Sequence, residues 1–407
     1  MDNETKGTRP MAVGSRRDAG LDVDALRARF ASLRDGAFAY FDAAGGSQVP
    51  DEVGEAIARA LREASGNLGA PYATGRRVEA ILAEAKAAAG RFLGGSGDDI
   101  VFGANMTSLN FVLSRTATRG FGPGDEVLVT RLDHDANVAP WLELAEDIGI
   151  TVTFVDVTDD YRLDYDDLER KLSERTRIVA FPWASNAMGT RIDAPRVCRL
   201  AREAGALSWV DAVHYAAHEP IDVAALGADV LLCSPYKFCG PHMGVAHVRP
   251  ETAEGWRPYK VRPAPTEPLG RRFETGTSPY EQLAGLSATV AYLDSLGGMS
   301  ALSAYEQELA RRLWDALPDG VTVYGPGLAE RVPTFLLNVE GVPARQVAER
   351  LAEQGIGVWH HTHYYAAGLA DRLPYPDEAV RLGLIHYNTA AEVDRLTAAL
   401  GELAAGG

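Results

Sequence analysis

Short strand-forming apolar runs recur at 126–130, 151–155, 177–181, 206–210 and 229–233, and they alternate with helix-period segments such as 51–64 and 76–92. Their alternation with helical segments describes a sheet covered on both sides. Strands alternating with helices predict an α/β fold around a mostly parallel sheet. After a proline-rich connector at 257–268 the pattern changes. A long helical stretch at 279–317 is followed by strands at 321–324 and 334–339 and helices at 344–353 and 391–405, which predicts a smaller α+β unit. A chain of 407 residues exceeds what one core usually serves. The expected organisation is an N-terminal segment (1–30) packing on the small domain, a large domain (31–280) and a small C-terminal domain (281–407).

Two residues stand just past such runs. Asp211 closes one, and Lys237, 26 positions later, follows another. Alone, a surface lysine and a helix-capping aspartate are the commoner readings of such residues. Here both fall at the carboxyl edge of the expected parallel sheet, where open α/β proteins bind ligands. An aldehyde cofactor needs a lysine amine for a Schiff base. Its pyridine nitrogen needs a carboxylate to stay protonated and withdraw electrons from a carbanion. Lys237 and Asp211 supply both for pyridoxal 5'-phosphate.

Composition narrows the alternatives. The formal charge is −16 and no Lys/Arg cluster interrupts it, which argues against nucleic acid or an anionic membrane as a partner. Cys198, Cys233 and Cys239 form no CxxC pair, so a reducing cytoplasm fits better than a disulfide framework or structural zinc. No stretch reaches the ~18 apolar residues of a membrane helix, and Met1 to Gly20 has no apolar leader core.

From about Tyr40 to the C-terminal helix the chain carries, in order, YFDAAGGSQVP, LDHDANVAPW, ASNAMGT, VDAVHYAAH, SPYKFCGPHMG, FETGT and RLGLIHYNTAAEVDRL. This series resembles the class V aminotransferase-fold proteins, in their cysteine desulfurase-like (SufS-like) branch. The resemblance implies the type I fold of pyridoxal phosphate-dependent transferases. It also implies a homodimer with composite sites, in which Thr277 reaches the partner's phosphate.

The same resemblance assigns further roles. His134 would stack on the pyridine ring and offer an acid/base nitrogen. Asn186 would lie near the phenolic oxygen and the substrate carboxylate, and His214 would hydrogen-bond the phenolic oxygen. The turn from Gly103 to Ser108 would cradle the phosphate, with the key contact left open among Asn105, Met106 and Thr107. Ser234 would add a hydroxyl, and Tyr236 takes the place of a family histidine. Arg381, read as the first residue of a strand at 381–385, would grip the α-carboxylate of an amino acid substrate.

The chain departs from desulfurases at one point. They need a mobile nucleophilic cysteine upstream of that arginine, and no cysteine occurs after Cys239. The corresponding loop reads Trp359-His360-His361-Thr362-His363-Tyr364-Tyr365. Alternate residues of an extended loop point apart and the segment has no carboxylate, so a metal site is not expected. A substrate pocket is, with His361, His363 or Tyr364 as proton donors to a leaving group. The expected reaction is β-elimination from an S-substituted cysteine through an external aldimine, a carbon–sulfur lyase activity. Decarboxylation-coupled oxidative deamination, epimerisation and transamination use the same residues. A non-catalytic scaffold would have no physical use for the Schiff-base lysine.

Overall fold

The computed structural model describes residues 17–18, 20–375 and 378–406. Its centre is a seven-stranded sheet of β1 (Ile100–Gly103), β2 (Glu126–Thr130), β3 (Thr151–Val155), β4 (Thr176–Pro182), β5 (Leu207–Asp211), β6 (Val230–Cys233) and β7 (Gly244–Val248), in the order β1-β7-β6-β5-β4-β2-β3. The strands from β6 to β3 run parallel, while β7 is antiparallel to both its neighbours. Val230, Leu231 and Leu232 are fully buried. Burial contributes about 1.5–3 kcal/mol per such side chain and fixes the end of β6, hence the start of the Ser234 turn.

The long helical stretch is two helices, Tyr280–Ser295 and Gly298–Asp315. Gly297 and Gly298 break it with φ of 94° and 75°, a region that strongly favours glycine. The first of these helices packs on helices Asp51–Glu63 and Ala73–Leu93, so it sides with the large sheet although the sequence division at 280/281 assigns it to the small domain.

A second, antiparallel sheet contains β8 (Val321–Tyr324), β9 (Thr334–Val339), β10 (Trp359–His361) and β11 (Ala379–Gly383), ordered β8-β9-β11-β10. Arg381 is therefore the central residue of its strand rather than the first, opposite Leu336 on one side and Trp359 on the other. Residues 1–16 and 19 of the expected N-terminal segment lie outside the described residues. Its later part meets the C-terminal region, where Arg27 pairs with Glu392 and donates to the Tyr387 carbonyl; beyond that segment, Ala39–Tyr40 pairs in parallel with Ile356–Gly357. Among the described residues no helix is long and apolar enough to cross a membrane.

Candidate active site

The carboxyl ends of β2, β4, β5 and β6 and the segment after β1 open onto one cleft. It is lined by Asn105, Met106, Thr107, His134, Asn186, Asp211, His214, Ser234, Tyr236 and Lys237. Residues spread over more than 130 positions meet there because each follows a strand of one sheet.

Lys237 ends a short 3-10 turn, is 8% exposed, and donates from Nζ to the carbonyls of Ala44 and Gly45. Burial, reinforced by the positive charge of Arg381, lowers its pKa to about 7. An unprotonated amine is then available near neutral pH. Asp211, the last residue of β5, accepts from the Val213 amide at 2.8 Å. Burial raises its pKa to about 6, and the amide and Lys237 oppose that rise.

His134 follows β2 on a turn fixed by buried Asp133, whose carboxylate accepts from the Thr130 amide and hydroxyl and from Asn137 Nδ2 at 2.7–2.8 Å. His134 Nδ1 accepts the Ala136 amide at 3.0 Å, so the neutral ring carries its proton on Nε2. Burial, with Lys237 and Arg381 nearby, lowers its pKa to about 4. At neutral pH its free nitrogen is a donor, not a base.

His214 is buried, with Nε2 2.8 Å from Thr334 Oγ1, and is held well below the usual histidine range by burial. Asn186 donates from Nδ2 to the Tyr364 carbonyl at 2.7 Å. Asn105 caps helix Met106–Ala117 by accepting the Ser108 amide at 2.8 Å. Helix geometry leaves the Met106 and Thr107 amides without intrahelical acceptors, at the positive end of the helix. Gly244 lets this terminus approach, since a Cβ there would lie 2.5 Å from Asn105 backbone atoms. The Tyr236 ring lies 4.7 Å from Lys237 Nζ and stacks on His242.

Arg381, 3% exposed, donates from Nη1 to the Asn186 carbonyl at 3.0 Å and lies 3.3 Å from Asp42 through Nη2. The Tyr364 ring covers its guanidinium at 4.3 Å. Asp42 lies within the YFDAAGGSQVP motif, which by itself does not signal this contact. Gly45 makes the Asp42 position accessible, because a Cβ there would lie 2.3 Å from Asp42 Oδ2.

Two expectations meet a different geometry. Tyr364 is buried and its hydroxyl sits between the carbonyls of Trp359 and Ala379 at 2.8 and 2.9 Å, so it is committed away from the cleft. His361 and His363 use Nδ1 to accept loop amides, leaving only Nε2–H free, and His361 belongs to β10 rather than to a loop. Thr277 is exposed and does not line the cleft of its own chain.

The cofactor fits these residues. His214 Nδ1, Asn186 Oδ1 and Arg381 Nε are buried and have no hydrogen-bond partner within the described residues. Buried polar atoms are normally satisfied, so such a cluster beside a buried amine and carboxylate suits a polar ligand ring and a carboxylate. Among the described residues no group of three or more His, Cys, Asp or Glu is placed to hold a metal ion.

A doubly covered sheet carrying a buried lysine–aspartate pair at its carboxyl edge defines a pyridoxal 5'-phosphate enzyme of the type I fold. Residues 39–396 match the family model for aminotransferase class-V, and the chain belongs to that family. It is 34% identical to a probable cysteine desulfurase 2 of Mycobacterium leprae, over 93% of this chain and 96% of that protein. It is 31% identical to an aminotransferase-like protein of Gibberella zeae, over 94% and 98%. Among solved structures, the apo cysteine desulfurase of Thermococcus onnurineus NA1 matches with a TM-score of 0.89 and 26% identity, covering 94% of this chain and 98% of that one.

Proposed function

We propose that the protein removes a β-substituent from an α-amino acid, with an S-substituted cysteine as substrate and a thiol, pyruvate and ammonia as products. One observation carries this reading: the amino acid machinery of the desulfurase-like relatives is present without a thiol that could accept sulfur. Cys198, Cys233 and Cys239 are all buried. Burial pushes the thiols up, Cys198 to about 11, so no reactive thiolate is available for a persulfide. Tyr364 and Tyr365 occupy the loop instead.

When bound, pyridoxal phosphate supplies an electron sink for the substrate α-carbon. Asp211 would hold the ring nitrogen protonated, and Arg381 would take the α-carboxylate by its planar fork. Once freed by the amino acid, neutral Lys237 removes the α-proton, and the electron pair expels the thiolate. With Tyr364 committed to carbonyls, the proton for the leaving thiolate comes from the Lys237 ammonium formed on taking the α-proton, while His134 Nε2–H can only donate a hydrogen bond. His214 and Asn186 would hold the phenolic oxygen, while Ser234 and the Asn105–Thr107 turn would hold the phosphate. The exposure of Thr277 supports a contribution to the site of a second copy in a homodimer.

The test is holoenzyme with S-methylcysteine, assayed for methanethiol and pyruvate alongside Lys237→Ala. Equal amounts of both products, lost in the variant, are expected. Accumulation of pyridoxamine phosphate without thiol would replace elimination by transamination.

A further inference from the structure

The cleft explains how an amino acid's common atoms are held and leaves the side chain unaddressed. A continuous ladder of rings stands next to that position. Trp359 lies 5.5 Å from the Arg381 guanidinium and 6.1 Å from the His361 ring. His361 stacks with Tyr365 at 5.6 Å and 26°, and Tyr365 stacks with His134 at 5.5 Å and 25°. The ladder thus joins the carboxylate-binding arginine to the histidine that lines the cleft.

Two of the rings do not serve the core. Trp359 is 40% exposed and Tyr365 52%. The loop that follows β10 and carries Tyr365 is nonetheless pinned to the site, because the Tyr364 carbonyl accepts from Asn186 and the Tyr365 carbonyl from the Asp135 amide. Tyr364 and Tyr365 also hold φ of 50° and 58°, where glycine or asparagine is the easier choice. Tyrosines kept in that backbone, one of them half in solvent, indicate a use for the exposed ring itself. The ladder's imidazoles accept amide protons at Nδ1 and are therefore neutral, so its faces offer stacking without a charge to recognise an anion.

We propose that this ladder is a binding subsite for a planar aromatic or heteroaromatic group on the substrate's β-substituent, with Tyr365 and Trp359 as its specificity-determining residues. The proposal rests on the reading of the cleft as an amino acid site and adds the chemical class of the leaving group.

Binding to holoenzyme is measured from the absorbance change of the bound cofactor, using S-benzylcysteine and S-methylcysteine. The expected result is a preference of roughly tenfold or more for the benzyl compound, as stacking on two rings provides. Tyr365→Leu keeps bulk without the ring and should lose most of that preference while S-methylcysteine binds as before. Tyr365→Phe should retain it, and Trp359→Ala, at a half-exposed position, should reduce it independently. Equal affinities of the two ligands in the unmodified enzyme, or a preference unchanged in Tyr365→Leu and Trp359→Ala, would overturn the subsite and leave the amino acid reading standing. No spectral change with either ligand would overturn both.

Discussion

Asp42 Oδ1 lies 3.3 Å from Arg381 Nη2, so the arginine assigned to the substrate carboxylate already faces a carboxylate of its own chain. Asp42 comes from the loop whose Ala44 and Gly45 carbonyls hold Lys237, and both cations act on it. An incoming α-carboxylate must therefore compete with Asp42 for one guanidinium.

That competition has a direction. Asp42→Asn keeps the shape and removes the charge, so the dissociation constant for an amino acid should fall by about three- to fivefold, near the ~1 kcal/mol upper range for a solvent-accessible ion pair. Titration of the cofactor absorbance with S-methylcysteine measures it. Weaker binding in the variant would mean that Asp42 instead holds the substrate, for instance through its ammonium group.

Lys237 gives a pH prediction. Its pKa is lowered from 10.5 to about 7, because burial and Arg381 both disfavour the ammonium form. Below about 7 the amine is protonated and cannot attack the aldehyde; above it the amine is free. The rate of cofactor loading onto apoprotein should rise with pH, reach half its plateau near 7 and be flat by pH 9. Arg381→Gln removes a positive neighbour, so its midpoint should move upward. A midpoint near 10 in the unmodified protein would show that Lys237 is solvated as an ordinary lysine.

Legibility in the sequence followed burial. β2, β4, β5 and β6 are buried over nearly their whole length, so each carries a cluster of apolar, strand-forming residues that can be found in the sequence. β7 is a short strand with His247 inside it, and β10 is Trp-His-His at the edge of the small sheet, so neither carries that signature. Lys237 and Asp211 were visible because they stand at the ends of readable strands, whereas the roles of His134 and Asn186 came from the resemblance of their motifs to the family. The Asp42–Arg381 contact was not, since it joins residues 339 positions apart. The commitment of Tyr364 to two carbonyls depends on β10 pairing with β11, which no local pattern announces.

Asp211 should separate cofactor binding from catalysis. Its carboxylate is buried, with a pKa raised to about 6, and a protonated pyridine nitrogen would favour its charged form. Asp211→Asn keeps the 2.8 Å bond from the Val213 amide available but cannot hold the ring nitrogen protonated. Turnover should fall by about 10²–10³-fold, the range for loss of one preorganised electrostatic group, while Lys237 still loads cofactor. Steady-state kinetics with a loading spectrum read both. Turnover within tenfold of the unmodified enzyme would show that the ring's electron withdrawal does not depend on this carboxylate.

Tyr364 separates a structural role from a chemical one. Its hydroxyl lies 2.8 and 2.9 Å from the Trp359 and Ala379 carbonyls, and its ring covers Arg381 at 4.3 Å. Burial keeps the phenol protonated, with Arg381 opposing it. Tyr364→Phe keeps the ring over the guanidinium and removes one buried hydroxyl, so stability should drop by about 1–2 kcal/mol, the usual penalty for a lost buried partner. Turnover should stay within about threefold, because the hydroxyl faces β10 and β11 rather than the cleft. A loss of turnover beyond a hundredfold with unchanged amino acid affinity would return Tyr364 to the role of proton donor, and would require the loop to rearrange when substrate binds.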